Sequence, residues 1–513
     1  MTKIQGMLPE HWASVAADSP AVVDGDDVLT YGVWNAMANR LADSLYRLGP
    51  RSERACVRMH ARREWFIINL ALEKLGWEHV SMNWRLTPHE VREILIDSDP
   101  GIFFFDDQPA EPLIGECAGL DIPLVSVGIA ASGTLAFGPL LASPNPEPRS
   151  STRRKPLITY TSGTTGKPRG VARQLPTDAE GRARATEWTW PNKPRRTGGD
   201  YRALLSLPLH HGAGPRAAKV CHRVGGTVYL LDPFDPVKAL EIIERERITN
   251  WKVVPTMLHR IRALPEERLK SFDVSSLRSL ALGAAPVTRA LREWAVGYFG
   301  HVLHEGYGTS ETGMVASLSP AMRPREPGSC GRLRPHAEVR VTGPDGREVP
   351  RGTEGELYVR TPMTITGYLD QGPLPGDLLT EDGFFRTGDI GRLDEDNFLY
   401  ITGRIKDMII AGGVNIYPAE IEQVLTEHPA VLDAAVIGIP EETFGEQVMA
   451  FCETRAGAEV TRDEMAAFLS GRLAPFKRPR RIEFVAELPR NETGKVLKRE
   501  LRAPFWAGRE LKI

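Results

Sequence analysis

The chain has 513 residues, with 64 Lys and Arg against 66 Asp and Glu, a formal net charge of -2. That balance leaves no electrostatic footprint for nucleic acid or an anionic membrane, and a small-molecule partner is expected instead. Apolar residues make up 42% and charged residues 25%, as in soluble globular proteins, and the length passes the point where one hydrophobic core stops growing, so at least two domains are expected. The five cysteines, Cys56, Cys117, Cys221, Cys330 and Cys452, are scattered without a C-x-x-C pair. They are read as reduced, buried thiols of a cytoplasmic protein. Residues 1–20 carry charge where a signal peptide needs an apolar core.

In chain order, short β-rich runs alternate with amphipathic segments. Residues 21–23 and 28–31 read as strands, and 32–48 as a helix with Trp34, Met37, Leu41 and Leu45 on one face. Residues 56–59 lead into a helix over 64–76, whose apolar run is too short and too charged to span a membrane. Residues 79–82 precede a helix opened by Thr87 and Pro88, a cap followed by proline in the first turn. Further strands are expected at 102–105, 156–161, 226–231 and 279–282. This alternation predicts an α/β fold with parallel sheets. The stretches 144–155 and 174–200 read as solvated connections. From 327 to 402, short strands and glycine turns suggest a small β-barrel-like subdomain, and from 404 a compact α/β pattern of about a hundred residues suits a small lid domain.

Four clusters carry chemistry. The first, ITYTSGTTGKPRG at 158–170, lacks both the spacing and the final hydroxyl of a P-loop. Even so, Thr161, Ser162, Gly163, Thr164, Thr165, Gly166 and Lys167 combine close backbone approach, hydroxyls and a mobile cation, which suits a polyphosphate. The second, HEGYGTSETG at 304–313, sets Tyr307 between glycines for stacking on a base and supplies Ser310 and the carboxylate of Glu311 as a magnesium ligand. In the third, FFRTGDIG at 384–391 is followed by Arg404, and Asp389 is placed to accept the two hydroxyls of a ribose. The fourth, LPRNETGKVLKREL at 488–501, sets Lys495 on a glycine turn.

In this order the clusters resemble the adenylate-forming enzyme superfamily, which includes acyl- and aryl-CoA synthetases. The resemblance runs from about residue 9 to residue 501 and includes LPLHHGAG at 207–214, VPT at 254–256, LGAAP at 282–286 and GEL at 355–357. It implies a large AMP-binding domain over 1–403 and a mobile α/β lid over 404–513. ATP and magnesium would activate a carboxylic acid to an acyl-adenylate, and the acyl group would pass to coenzyme A. The alternatives are a free amine, giving an amide, or a carrier-protein thiol. The resemblance also implies that 161–167 hold the β- and γ-phosphates, that Gly283, Ala284, Ala285 and Tyr307 hold adenine, that Gly308 and Thr309 belong to the nucleotide site, and that Ser310 meets the α-phosphate. Asp389 and Arg404 would take the ribose, Lys495 would bridge the carboxylate and α-phosphate, and Lys406 would be the hinge.

By the same resemblance, His210, His211, Gly212, Ala213, Gly214, Val254, Thr256, Gly306 and Met314 line the acid pocket. His211 stands at the gating position, and Gly212, Ala213 and Gly214 leave room for a bulky acid. Gly412 and Gly413 shape the tunnel for the second nucleophile. Ser310 replaces a commoner Thr, Arg169 a commoner Lys, and VARQLPTD at 171–178 departs from the usual link to the acid pocket. The oligomeric state is left open.

Overall fold

The computed structural model describes residues 8–143, 151, 155–162, 168–189, 200–283, 285, 287–322, 328–411, 414–443, 445–455, 457–491 and 494–507, with backbone alone at 161, 162 and 168. The predicted β-then-α rhythm is present. The helix Tyr31–Leu48 starts at Thr30, whose hydroxyl accepts from the Val33 amide at 3.3 Å, and stops at Gly49, left-handed at φ 58°. Between those signals Trp34, Ala38, Leu41 and Leu45 recur at three- and four-residue spacing and are buried. Each large side chain so buried is worth roughly 1.5–3 kcal/mol. The helix Pro88–Ser98 carries a full capping box, with Thr87 and Glu90 each accepting the other's backbone amide.

Among the described residues, two large sheets form the body. One has the order Leu135–Ala136, Leu124–Ser126, Ile102–Phe105, Arg54–Arg58, Glu78–Met82, Ile158–Ser162, Pro168–Val171; its strands are parallel except the last pair. The other is parallel through its middle, Leu303–Thr309, Ser279–Leu282, Asn250–Val253, Arg202–Leu205, Thr227–Leu230 and Pro20–Asp24. A contiguous core lies between them, built on Trp34, Phe66, Ile68, Leu205, Trp251 and Leu258. A third sheet pairs Val431–Glu441 with Gly445–Thr454 and has its own core of Ile421, Leu425, Val436 and Met465. All five cysteines are free; four are buried and Cys330 is half-buried. No described helix is long and apolar enough to cross a membrane.

Two expectations are corrected. The strands between 327 and 402 do not close into a barrel among the described residues. Gly331–Leu333 pairs with Gly313–Leu318 and Phe398–Arg404, so this region extends the second sheet as antiparallel edge strands. The stretch 174–200 is not all solvated connection, because Ala179–Thr189 is a helix that buries Gly181, Ala185 and Trp188. Four- and three-residue spacing puts those three side chains on one stripe. The polar remainder of the segment hid that stripe.

Candidate active site

Parallel strands of one sheet end at the same edge, and ligand crevices in α/β proteins form beyond those carboxyl ends. Here the residues just past Arg202–Leu205, Asn250–Val253 and Ser279–Leu282 meet the hairpin of Leu303–Thr309 with Gly313–Leu318. The result is a cleft of about 1500 Å³. His211, Gly212, Ala213, Val254, Gly306 and Met314 line it from the predicted acid pocket. Gly283, Gly308, Thr309, Ser310 and Glu311 line it from the predicted nucleotide side. Arg404, Lys406 and Lys495 reach the same cleft from the far end of the chain.

The other expected residues lie off its wall. His210 is buried, and Ala285 is not on the lining. Gly214 makes no room for a ligand: a Cβ there would lie 2.3 Å from the Pro208 carbonyl, so this glycine lets the helix Ala213–Arg223 start against its own loop. Thr256 sits beneath the lysine turn of the C-terminal domain, where a Cβ on Gly494 would fall 2.0 Å from its Oγ1. Gly163, Thr164, Thr165, Gly166, Lys167, Ala284, Gly412 and Gly413 lie outside the described residues. Thr161 and Ser162 pair with Arg169 and Pro168 in an antiparallel hairpin, so 163–167 connect its two strands.

Asp389 is 2% exposed and lies just behind the wall formed by Thr387, Gly388 and Arg404. Its Oδ2 accepts from the Tyr307 hydroxyl at 2.5 Å, and its Oδ1 pairs with Arg404 Nε at 2.6 Å. A third bond, from the Asp389 amide to Thr387 Oγ1 at 3.1 Å, fixes the turn. Burial and the neighbouring carboxylate hold the Tyr307 hydroxyl well above its ordinary pKa, so it stays a donor. An ionised carboxylate has about four lone-pair sites, so these two contacts leave acceptor capacity.

Lys495 rests on a turn in which its amide donates to Asn491 Oδ1 at 2.9 Å and its carbonyl accepts the Asn491 amide at 2.9 Å. Gly494, at φ +74°, makes that turn possible. Burial, reinforced by Arg404 and Lys406, brings the Lys495 ammonium down to about 8. Glu311 lines the cleft, and no group of three His, Cys, Asp or Glu among the described residues could cage a metal. This donor set fits magnesium, which keeps most of its waters and binds through one or two carboxylates and the phosphates of a nucleotide.

Sequence reasoning missed four cations. Arg173, Arg216, Lys252 and Arg334 all line the cleft, together with Trp188. Arg173 donates to the Ser310 carbonyl at 2.9 and 3.2 Å. Arg334 donates to the carbonyls of Trp188 and Thr189, capping the C-terminus of the helix Ala179–Thr189. Arg216 lies over the Trp188 ring at 5.6 Å. Burial, reinforced by the neighbouring guanidiniums, lowers Arg216 to about 10; burial and Arg216 lower Lys252 to about 8.

Known proteins share the family and the fold of this chain. The model of the AMP-binding enzyme family matches residues 9–369, and that of the AMP-binding enzyme C-terminal domain matches 420–495. An indoleacetate–CoA ligase of Aromatoleum aromaticum is 35% identical over 92% of each chain. The amide bond synthetase McbA of Marinactinospora thermotolerans superposes with a TM-score of 0.83 at 28% identity, over 97% of this chain and 100% of its own. ATP-bound MatB of Rhodopseudomonas palustris gives 0.83 at 30% identity, over 97% and 99%.

Proposed function

The chain belongs to the AMP-binding enzyme family, and from that premise we propose that it activates a carboxylic acid with ATP and magnesium and passes the acyl group to coenzyme A. The observation that carries this reading is the convergence of lid and body: Lys495, Arg404 and Lys406 reach the cleft that Ser310 and Glu311 line. In the first half-reaction a carboxylate oxygen attacks the α-phosphorus, the bond between the α- and β-phosphates breaks, and pyrophosphate leaves. Two anions must meet, and at about 4 Å their repulsion is roughly 4 kcal/mol at an effective dielectric near 20. Lys495 offsets that repulsion. The loop 161–167, with Lys167, grips the departing pyrophosphate. Glu311 would hold magnesium, which would supply charge neutralisation at the phosphates, and Asp389 with Arg404 takes the ribose.

In the second half-reaction the lid turns about Lys406 and brings 411–415 to the cleft, so that Gly412 and Gly413 border the path of the thiol, whose sulfur attacks the acyl carbon, releases its proton and displaces AMP. His211 gates the acid pocket. A free amine is the second reading, favoured by the likeness to an amide bond synthetase; loading of a carrier-protein thiol is the third. The test incubates the protein with ATP, magnesium and a panel of acids, adding coenzyme A or amines, and identifies products by mass. A thioester is expected. Amide formed without coenzyme A would replace the first reading by the second.

A further inference from the structure

The cleft wall carries the cations Arg173, Arg216, Lys252 and Arg334, and two of them have no anion to answer. Arg173 and Arg334 spend their donors on the carbonyls of Ser310, Trp188 and Thr189. Arg216 and Lys252 do not. Among the described residues neither side chain makes a hydrogen bond or ion pair, and the charged groups acting on them are other cations: Arg334 and Arg173 on Arg216, and Arg216 on Lys252. Glu311, the acid that acts on Arg173, does not figure for either.

Both side chains are enclosed by protein yet keep surface open to the cleft. Arg216 projects from the helix Ala213–Arg223 just past the gating segment, and Lys252 from the strand Asn250–Val253, two residues before Val254. Enclosed charge without a partner is unfavourable, and the contact of Arg216 with the Trp188 ring offsets far less than the desolvation of a guanidinium. Two such charges side by side raise the cost again. An anionic group on the ligand would remove it.

Resting on the reading that this cleft adenylates a carboxylic acid, we infer that the acid carries a second carboxylate, remote from the one activated at Lys495 and held by Arg216 and Lys252 in the cleft wall. A purely apolar tail would leave both cations dehydrated and unpaired, so the site selects against it as well as for the diacid.

The experiment measures acid-dependent ATP–pyrophosphate exchange at about pH 7, where both cations are charged, with matched probes: hexanoate and adipate, octanoate and suberate, benzoate and terephthalate. In the native protein at least one diacid is expected to exceed its matched monoacid in kcat/KM by ~10²-fold, the scale for pairing a buried charge. Arg216→Met and Lys252→Met are expected to lose most of that factor through KM for the diacid while the matched monoacid improves. Arg216→Lys should recover part of it, which also guards against a variant that fails to fold. Exchange that favours monoacids in the native protein overturns the inference and leaves adenylation standing. A rise in KM for ATP with no change in acid preference overturns it too, by assigning the cations to the triphosphate. Exchange with none of the six acids, nor with any acid of the wider panel, would remove adenylation itself and this inference with it.

Discussion

An ammonium group set among Arg404 and Lys406 in a buried cleft gives up its proton more readily than one in water, and Lys495 is brought down from 10.5 to about 8. In the proposed role only the charged form bridges two anions. The kcat/KM of adenylation should therefore fall as pH rises through about 8, while the corresponding limb in kcat should lie higher, because bound ATP and carboxylate restore the cation. A flat kcat/KM profile across that range would remove Lys495 from the reaction. The linked stability has the opposite sign: between about 8 and 10.5 the unfolded chain binds the proton more tightly, so the cost of burying this ammonium fades as pH rises. Lys495→Ala should slow ATP–pyrophosphate exchange by roughly 10²–10³-fold, about 3–4 kcal/mol of lost electrostatic stabilisation. Tyr307→Phe is a milder change. It removes one of two bonds to the buried Asp389 carboxylate, and a bond to a charged group is worth about 1.5–3 kcal/mol. KM for ATP should rise about tenfold or more on that scale, with kcat little altered; an unchanged KM would detach Tyr307 and Asp389 from the nucleotide. The difference between Lys495 and Lys252 also shows what a sequence discloses. Lys495, Asp389 and Arg404 sit in local patterns of glycines and hydroxyls that suggest a site before any fold is known. Arg173, Arg216, Lys252 and Arg334 come from four separate segments, each a single cation that alone reads as solvated, and only the tertiary fold gathers them around Trp188.

At the scale of elements, the lysine turn is held by its glycine and by what that glycine touches. Gly494 has φ +74°, and a Cβ there would lie 2.0 Å from Thr256 Oγ1 on the helix Pro255–Arg262. Gly494→Ala should therefore act twice, through a left-handed backbone that costs about 1 kcal/mol for a side chain and through a collision that blocks docking of the turn on the body. Adenylation should fall sharply while the lid stays folded. Thr256→Gly in the same chain should restore part of the loss by removing the colliding hydroxyl and methyl. Equal exchange rates for the single and double variants would show that the backbone term, and not the contact, decides. The same scale shows why the connection 174–200 was misread. Its helix buries only Gly181, Ala185 and Trp188, and a stripe so narrow among arginines and glutamates gives almost no periodic signal. The glycine turns between 327 and 402 identified strands correctly but not their closure, because a turn fixes its own hairpin and says nothing about which edge a strand joins.

For the whole molecule, the present arrangement is one of the two that the proposed chemistry needs. On the proposed reading, Lys495 in the cleft sets the protein for adenylation, and the path for the second nucleophile requires the C-terminal domain to leave. The connection between body and lid is short: the strand Phe398–Arg404 ends, the 3-10 turn Ile405–Asp407 follows, and the strand Ile409–Ala411 begins the lid sheet. A rotation therefore has few backbone angles to use, and Lys406 is at their centre. Proline at that position fixes φ near -65° and pushes Ile405 away from the helical region it now occupies. Lys406→Pro should cost adenylation a few-fold, by loosening the turn in which the Met408 amide reaches the Arg404 and Ile405 carbonyls at 3.0 and 3.2 Å. Transfer needs the turn to rearrange altogether, and there the loss should exceed that in adenylation by about tenfold or more, the scale of 1.4 kcal/mol in a barrier. The two steps separate cleanly, since pyrophosphate exchange reports the first and single-turnover product formation from preformed adenylate reports the second. Loss of both in equal measure would move the hinge away from Lys406, and retention of both would mean that this lid need not turn for the acyl group to leave.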